Sequence, residues 1–174
     1  REDYLRFAPW KPEKEGEPTM SAERIAEMAE REQFILTVCA NGYGKLSSAY
    51  EYRRTGRGGQ GITNIGAPES NPERNGPVVA SFPVKHGSQL MLVTDQAKLI
   101  RLDITFRHLI EGGFESLKGF SISGRSSSGV RIFDVAKDEH IVGAALIDET
   151  EEPENAAEEA VAAEMAEGAE PAAE

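Results

Sequence analysis

Cysteine is nearly absent from this sequence: Cys39 is the one cysteine among 174 residues, so no disulfide bond can form within the chain. It lies in an apolar stretch, where a cysteine usually serves as a small buried hydrophobe. Long apolar runs are also absent, because none approaches the roughly 18 to 20 residues of a membrane span. No signal peptide pattern opens the chain. We therefore expect a cytoplasmic protein with no membrane contact.

Residues suited to metal binding or covalent catalysis are few and scattered. His86, His108 and His140 are isolated, with no ligand-like spacing and no companion cysteine, so the sequence predicts no metal site. The serines at 126–128 are typical of a tight turn, and nothing around them resembles a nucleophile elbow. We expect no catalytic residue, metal or cofactor in this chain.

The net charge of −11 is unevenly distributed along the chain. Residues 148–174 hold 11 acids and no lysine or arginine, and we expect them to form a disordered acidic tail. Residues 1–32 hold 9 acids and 6 bases, whereas residues 33–147 hold 13 bases and 10 acids. The middle of the chain is therefore net positive, and the overall charge does not exclude a polyanionic partner.

The middle segment contains two copies of one pattern. Residues 34–45 align with residues 89–100 at an offset of 55, and residues 78–82 align with residues 141–145 at an offset of 63. Each copy predicts a strand, a turn, a second strand, a basic glycine turn, a third strand and a closing strand. Four short strands in each unit are typical of a propeller-type blade.

The basic glycine turn is also repeated. Residues 56–62 return in degraded form at residues 124–131, at an offset of 68. The difference from the first offset indicates an insertion of 13 residues in the second unit, at about 104–120. We therefore predict one blade at 33–88 and a second blade at 89–147.

Two blades cannot close a ring, because such repeats bury their faces against neighbours and about three or more are needed. We expect the chain to be the end of a larger protein, which agrees with its start at Arg1. Residues 1–20 are predicted to be a surface linker. Ser21 is expected to cap a short helix, within residues 1–32, that packs on the edge of the first blade.

The glycine turn allows more than one interpretation. Gly56, Gly58 and Gly61 satisfy the dinucleotide-binding pattern, but that site needs a helix after the third glycine, and Pro68 follows too soon. One remaining interpretation is a turn in which glycine supplies positive φ and the arginines are merely solvated. The other is an anion-binding turn, which the arginine retained in the second copy favours. The candidate phosphate-binding residues are Lys45, Arg53, Arg54, Arg57, Lys98, Arg101, Arg125 and Arg131.

Several motifs together resemble the C-terminal domain of the DNA gyrase A protein. They are Asn-Gly-Tyr-Gly-Lys at 41–45, Tyr-Glu-Tyr at 50–52, the glycine turn at 56–62, and Leu-Val-Thr-Asp at 92–95 with Leu-Ile-Arg at 99–101. The resemblance covers about residues 33–147. It implies an all-β fold, the β-pinwheel, a propeller variant of usually six blades that bends duplex DNA around a basic rim.

Each blade of that family carries a turn related to the gyrase box, Gln-Arg-Arg-Gly-Gly-Lys-Gly. This chain keeps the second arginine and all three glycines of the box, but has threonine, glycine and glutamine where the box has glutamine and two bases. The box-like turn consists of Gly56, Arg57, Gly58, Gly59, Gln60 and Gly61. These departures imply late blades of the ring and not the first blade, where the full box belongs.

The resemblance implies a DNA-wrapping module that supports ATP-dependent negative supercoiling by the whole enzyme. Its partners would be double-stranded DNA, the gyrase B protein and a second copy of gyrase A in the A2B2 assembly. ATP would belong to gyrase B, with Mg²⁺ in the cleavage core. None of Tyr4, Tyr43, Tyr50 or Tyr52 lies in a motif like that of the catalytic tyrosine, so this fragment is expected to be non-catalytic.

Two other functions remain open. The homologous domain of the topoisomerase IV A protein binds DNA without the full box, and a protein-interaction propeller could use the same arginines to bind an acidic partner. The acidic tail also allows two hypotheses. It competes with DNA for the basic rim, or it serves only solubility.

Overall fold

The computed structural model describes residues 1–14, 16–110 and 119–147. The predicted acidic tail and residues 111–118 of the predicted insertion at 104–120 lie outside the described residues. No helix in the described ranges combines the length and apolar character needed to cross a bilayer. The helices are α1 (Glu2–Phe7) and α2 (Ala22–Glu30), and single 3-10 turns occupy Ala49–Glu51 and Arg107–Leu109. The strands are β1 (Phe34–Cys39), β2 (Tyr43–Ser48), β3 (Val78–Val84), β4 (Gln89–Thr94), β5 (Leu99–Asp103), β6 (Val130–Arg131) and β7 (Ile141–Ile147).

These strands form two antiparallel sheets, ordered β3-β1-β2-β6 and β5-β4-β7, which confirms the predicted all-β fold. The β1–β2 hairpin turns at Asn41 and Gly42, and an Asn-Gly pair strongly favours a tight hairpin turn. Gly42 has a φ of +78°, and a Cβ there would lie 2.1 Å from the carbonyl oxygen of Phe133. Only glycine therefore fits this turn, for its conformation and for the close backbone approach.

The first sheet takes its fourth strand from the second repeat unit. Tyr43 pairs with Arg131 and Gly44 pairs with Val130, so β6 covers the outer edge of β2. The prediction that each unit supplies its own four strands is therefore wrong. The third strand predicted after the first glycine turn is also absent, because the described structure has no strand between β2 and β3. An exposed strand edge carries unpaired backbone groups, and the strand from the neighbouring unit satisfies them here.

One apolar core joins the two sheets. Leu36 and Leu46 from the first sheet and Leu90 and Leu92 from the second are all fully buried in it. Because side chains of both sheets meet in a single cluster, the two blades support each other.

The N-terminal segment packs on the first blade through a second apolar cluster. Tyr4 and Trp10 are buried there against Met28 of α2. Tyr4 donates from its hydroxyl to the Glu32 carboxylate at 2.6 Å, and Trp10 Nε1 donates to the same carboxylate at 2.9 Å. Burial and the neighbouring Glu32 raise the pKa of Tyr4, so it remains a donor.

The predicted surface linker at 1–20 is therefore wrong for its first ten residues. Tyr4, Phe7 and Trp10 recur every three residues and form one buried aromatic face, which the surrounding charged and proline residues obscure in the sequence. The helix cap at Ser21 is confirmed, since its side chain accepts from the Arg24 backbone N–H at 3.3 Å.

Candidate nucleic-acid interface

The first glycine turn lies at the tip of an exposed loop, residues 53–63, which we call the arginine loop. All residues from 53 to 61 are exposed. Gly58 and Gly61 have φ values of +76° and +71°, and a Cβ at either position would meet nothing within 4 Å. Glycine is needed there for backbone conformation and not for space. The loop therefore projects into solvent with a shape that glycine sets.

Hydrogen bonds fix the base of the arginine loop to the first sheet. The Tyr52 hydroxyl donates to Oδ1 of Asn64, so the residues flanking the loop are joined. Nδ2 of Asn64 then donates to Oγ1 of Thr37 at 2.8 Å and to Oγ of Ser81 at 3.2 Å. Burial raises the pKa of the Tyr52 phenol, which keeps it a donor. The loop thus leaves and rejoins the blade at one point.

The arginine loop carries Arg53, Arg54 and Arg57, all exposed. Within the ranges that the structure describes, none of the three forms a hydrogen bond, ion pair or ring contact. Guanidinium groups have a planar fork that matches phosphate oxygens, and glycine turns expose backbone N–H groups to anions. The loop therefore presents three free cations in a setting suited to phosphate.

The second glycine turn, residues 124–129, packs beside the base of the arginine loop. The Gly66 N–H donates to the Ser127 carbonyl at 3.0 Å. A Cβ on Gly66 would lie 2.3 Å from the Ser126 carbonyl oxygen, so the two backbones touch. The two turns that the repeat predicted are therefore neighbours in space.

Arg125 faces the arginine loop and not open solvent. Its guanidinium donates to the carbonyl of Thr63 at the end of the loop, and its backbone N–H donates to the Glu51 carboxylate. Its side chain is only partly exposed. The sequence predicts that Arg125 binds phosphate, but in the structure it is already engaged by the protein.

Lys45 lies inside the blade, with 2% of its surface exposed. Its ammonium donates to the Gly124 carbonyl at 2.9 Å and to the Arg125 carbonyl. Burial lowers the pKa of Lys45 to about 8, and the nearby Glu51 carboxylate opposes this shift. The sequence predicts a phosphate contact for Lys45. The structure instead directs the side chain into the protein, so Lys45 is not available to an external phosphate.

The other predicted cations are exposed but paired. Lys98 contacts the buried Glu139 carboxylate at 2.7 Å, and Arg131 contacts Asp134 at 2.7 Å. Arg101 donates to the side-chain oxygen of Gln89. Each of these cations would have to share or leave a protein partner to bind an anion, unlike the arginines of the loop.

Arg74 is a cation that the sequence pattern did not single out. Its guanidinium lies 4.4 Å from the centre of the Tyr43 ring, which Arg131 also contacts at 5.3 Å. Arg74 also donates to the Ser128 carbonyl at 2.7 Å and the Gly129 carbonyl at 3.2 Å. These partners are more than 50 residues away in sequence, so no local pattern marks the contact. Arg74 holds the second turn against the first sheet.

Two antiparallel sheets pack together, β6 of the second unit completes the first sheet, and the glycine turn is repeated. These features define two blades of a β-propeller-type domain. The family model described as "DNA gyrase C-terminal domain, beta-propeller" matches residues 33–85 and 116–148. The DNA gyrase A protein of Rickettsia prowazekii is 44% identical over 139 residues, which cover 80% of this chain and 14% of that protein. The gyrase A protein of Granulibacter bethesdensis is 44% identical over 132 residues, 76% of this chain and 12% of that protein.

Solved structures agree in fold. A DNA gyrase A C-terminal domain matches with a TM-score of 0.51 and 18% identity, over 68% of this chain and 35% of that one. A topoisomerase IV C-terminal domain matches with a TM-score of 0.50 and 14% identity, over 79% and 36%. The chain belongs to the family of DNA gyrase A C-terminal domains. It spans about 14% of the length of the curated relatives it matches.

Proposed function

We propose that this chain binds double-stranded DNA and helps to wrap it, as part of the C-terminal domain of a DNA gyrase A protein. The observation that carries the proposal is the contrast among the cations. Arg53, Arg54 and Arg57 are exposed and without a partner within the described residues, whereas the other predicted cations are paired or buried. Arg57 lies on the turn that corresponds to the gyrase box, and Arg53 and Arg54 come just before that turn.

The chemistry of the arginine loop suits backbone binding more than base recognition. Phosphate contacts position a protein on the duplex without reading sequence, and bent DNA gives a protein more surface to contact. Arginine and backbone N–H groups are both phosphate donors. We expect weak sequence preference and affinity that falls steeply with salt.

The wrap would serve the whole enzyme and not a reaction on this chain. A DNA segment curved over the blades would present a crossing of one sign to the cleavage core, and strand passage there would produce negative supercoils. We propose the gyrase B protein and a second copy of gyrase A as partners in a bacterial cytoplasm. ATP and Mg²⁺ would act in those other parts, and this fragment would be non-catalytic.

A topoisomerase IV domain is the second candidate, because that solved structure matches with nearly the same TM-score as the gyrase domain. The two activities differ in wrapping. A relaxed DNA minicircle is incubated with the complete protein that carries this chain and is then treated with a type I topoisomerase. Wrapping as in gyrase predicts a positive shift in linking number. DNA binding without a shift would favour the topoisomerase IV function, and absence of binding would contradict both.

A further inference from the structure

We propose that Lys45, Glu51 and Arg125 form a brace that positions the arginine loop, and that Arg125 is not a phosphate ligand. This inference rests on the proposed function, since the loop would be the part that holds DNA. The brace joins the two glycine turns, which the sequence repeat treats as independent binding elements. In this proposal the second turn supports the arginine loop and does not itself bind phosphate.

Arg125 supplies the link between the turns. Its guanidinium binds the Thr63 carbonyl, the last position of the arginine loop. Asn64 follows immediately and is bonded to Thr37 and Ser81. The end of the loop is thus held by a side chain from the second turn and by the first sheet. A guanidinium used in this way has part of its donor fork turned away from solvent.

Lys45 and Glu51 hold Arg125 from the other side. Lys45 donates to the carbonyls of Gly124 and Arg125, while the Glu51 carboxylate accepts from the Arg125 N–H. These bonds satisfy backbone donors and acceptors of the second turn and so fix its conformation. The two cations and one carboxylate are the charges that act on this site. Because Lys45 is buried, it acts only through the turn.

Close backbone packing leaves the second turn little freedom. A Cβ on Gly129 would lie 2.6 Å from the Gly44 carbonyl oxygen, and a Cβ on Gly44 would lie 2.3 Å from the Thr37 carbonyl oxygen. Gly129 also has a φ of +72°. The second turn therefore packs directly against β2, the strand that carries Lys45. This packing restricts the movement of the turn, as a brace requires.

The test compares Lys45→Met and Arg125→Met with a control, Lys98→Met, in the complete protein. Lys98 is also paired, but with Glu139, which lies just before β7 and away from the two glycine turns. Hydrogen exchange of the Gly66 and Ser127 amides, which are hydrogen-bonded where the second turn meets the base of the loop, is measured without DNA, with β4 as the internal reference. We expect exchange of these two amides to rise on the order of tenfold in both brace variants, because each variant loses hydrogen bonds to a charged group. The control is expected to leave it unchanged.

A second readout separates the brace from the proposed function. Arg125→Lys keeps the charge but loses the planar donor fork. A brace therefore predicts fast exchange of the Gly66 and Ser127 amides, whereas a simple phosphate ligand predicts normal exchange and near-normal DNA affinity. Unchanged exchange of these amides in both Lys45→Met and Arg125→Met would overturn the brace and leave the DNA proposal intact. Raised exchange with unaltered DNA affinity, including in an Arg57→Ala variant, would overturn the DNA proposal and with it the brace's role in binding.

Discussion

Asn64 donates from Nδ2 to Oγ1 of Thr37 at 2.8 Å, which joins the residue after the arginine loop to a fully buried position on β1. The same amide reaches Ser81 Oγ at 3.2 Å on the neighbouring strand. Thr37 and Ser81 face each other in register on β1 and β3. The loop is therefore anchored to two strands of one blade through a single side chain.

Replacing that side chain should loosen the loop more than it destabilises the blade. In Asn64→Ala, Thr37 and Ser81 keep their mutual hydrogen bond at 3.1 Å, and the half-buried Tyr52 hydroxyl loses its acceptor. We expect the free energy of unfolding to fall by about 1 kcal/mol, measured by chemical denaturation. Hydrogen exchange of the Gly66 amide, which is bonded to the Ser127 carbonyl beside the base of the loop, should rise. Normal exchange of this amide would show that Asn64 does not anchor the loop.

Lys45 should give the protein a distinctive dependence on alkaline pH. Its folded-state pKa of about 8 lies below the ordinary value of 10.5. Between these values the unfolded chain keeps the proton and the folded chain releases it, so stability rises with pH through this window. This gain in stability is lost again as pH falls through 8. Lys45→Met lacks the titrating group, so its stability has no such contribution.

The measurement is the difference in unfolding free energy between wild type and Lys45→Met from pH 7 to pH 11. That difference should shift in favour of wild type by up to about 3 kcal/mol, since one pKa unit corresponds to about 1.4 kcal/mol. Comparing the two proteins cancels the titration of other lysines and tyrosines. A difference that stays flat across this range would contradict the burial of a charged Lys45.

Glu139 should govern part of the acid stability of the second blade. Hydrogen bonds from Lys98, Thr94 and the Ala136 N–H lower its pKa from 4.5 to about 2. Its stabilising contribution is present above 4.5 and is lost as pH falls through 2. Glu139→Gln is expected to weaken the dependence of the melting temperature on pH between 4.5 and 2. An unchanged dependence would show that the carboxylate is not held by these donors.

The acidic tail offers a test that depends on charge alone. Residues 148–174 carry 11 acids and no base. If they compete with DNA for the arginine loop, deleting them should tighten DNA binding, most strongly at low salt, where surface charges are least screened. Equal affinity with and without the tail at low salt would instead support a role in solubility.

The strands and the hairpin at Asn41 could be predicted from the sequence because alternating and β-branched residues flank a strong turn signal. The pairing of β6 with β2 could not be predicted, because a two-residue strand has no periodicity and its partner depends on which strand edge is open. Lys45 looked like a surface cation because its acceptors, the Gly124 and Arg125 carbonyls, come from the other repeat. Glycine and arginine at 53–61 did mark the exposed loop.

The claim that the arginine loop binds DNA phosphates is tested most directly by the salt dependence of DNA affinity. The variant to compare with wild type has Arg53, Arg54 and Arg57 all replaced by alanine. A matched control replaces Lys14, Arg24 and Arg31, of which the two arginines are paired with Glu27 on α2. If each loop arginine neutralises one phosphate, the slope of log K against log salt should become shallower by about 2.7, while the control keeps the wild-type slope. An unchanged slope in the loop variant, or an equal change in both, would contradict the account.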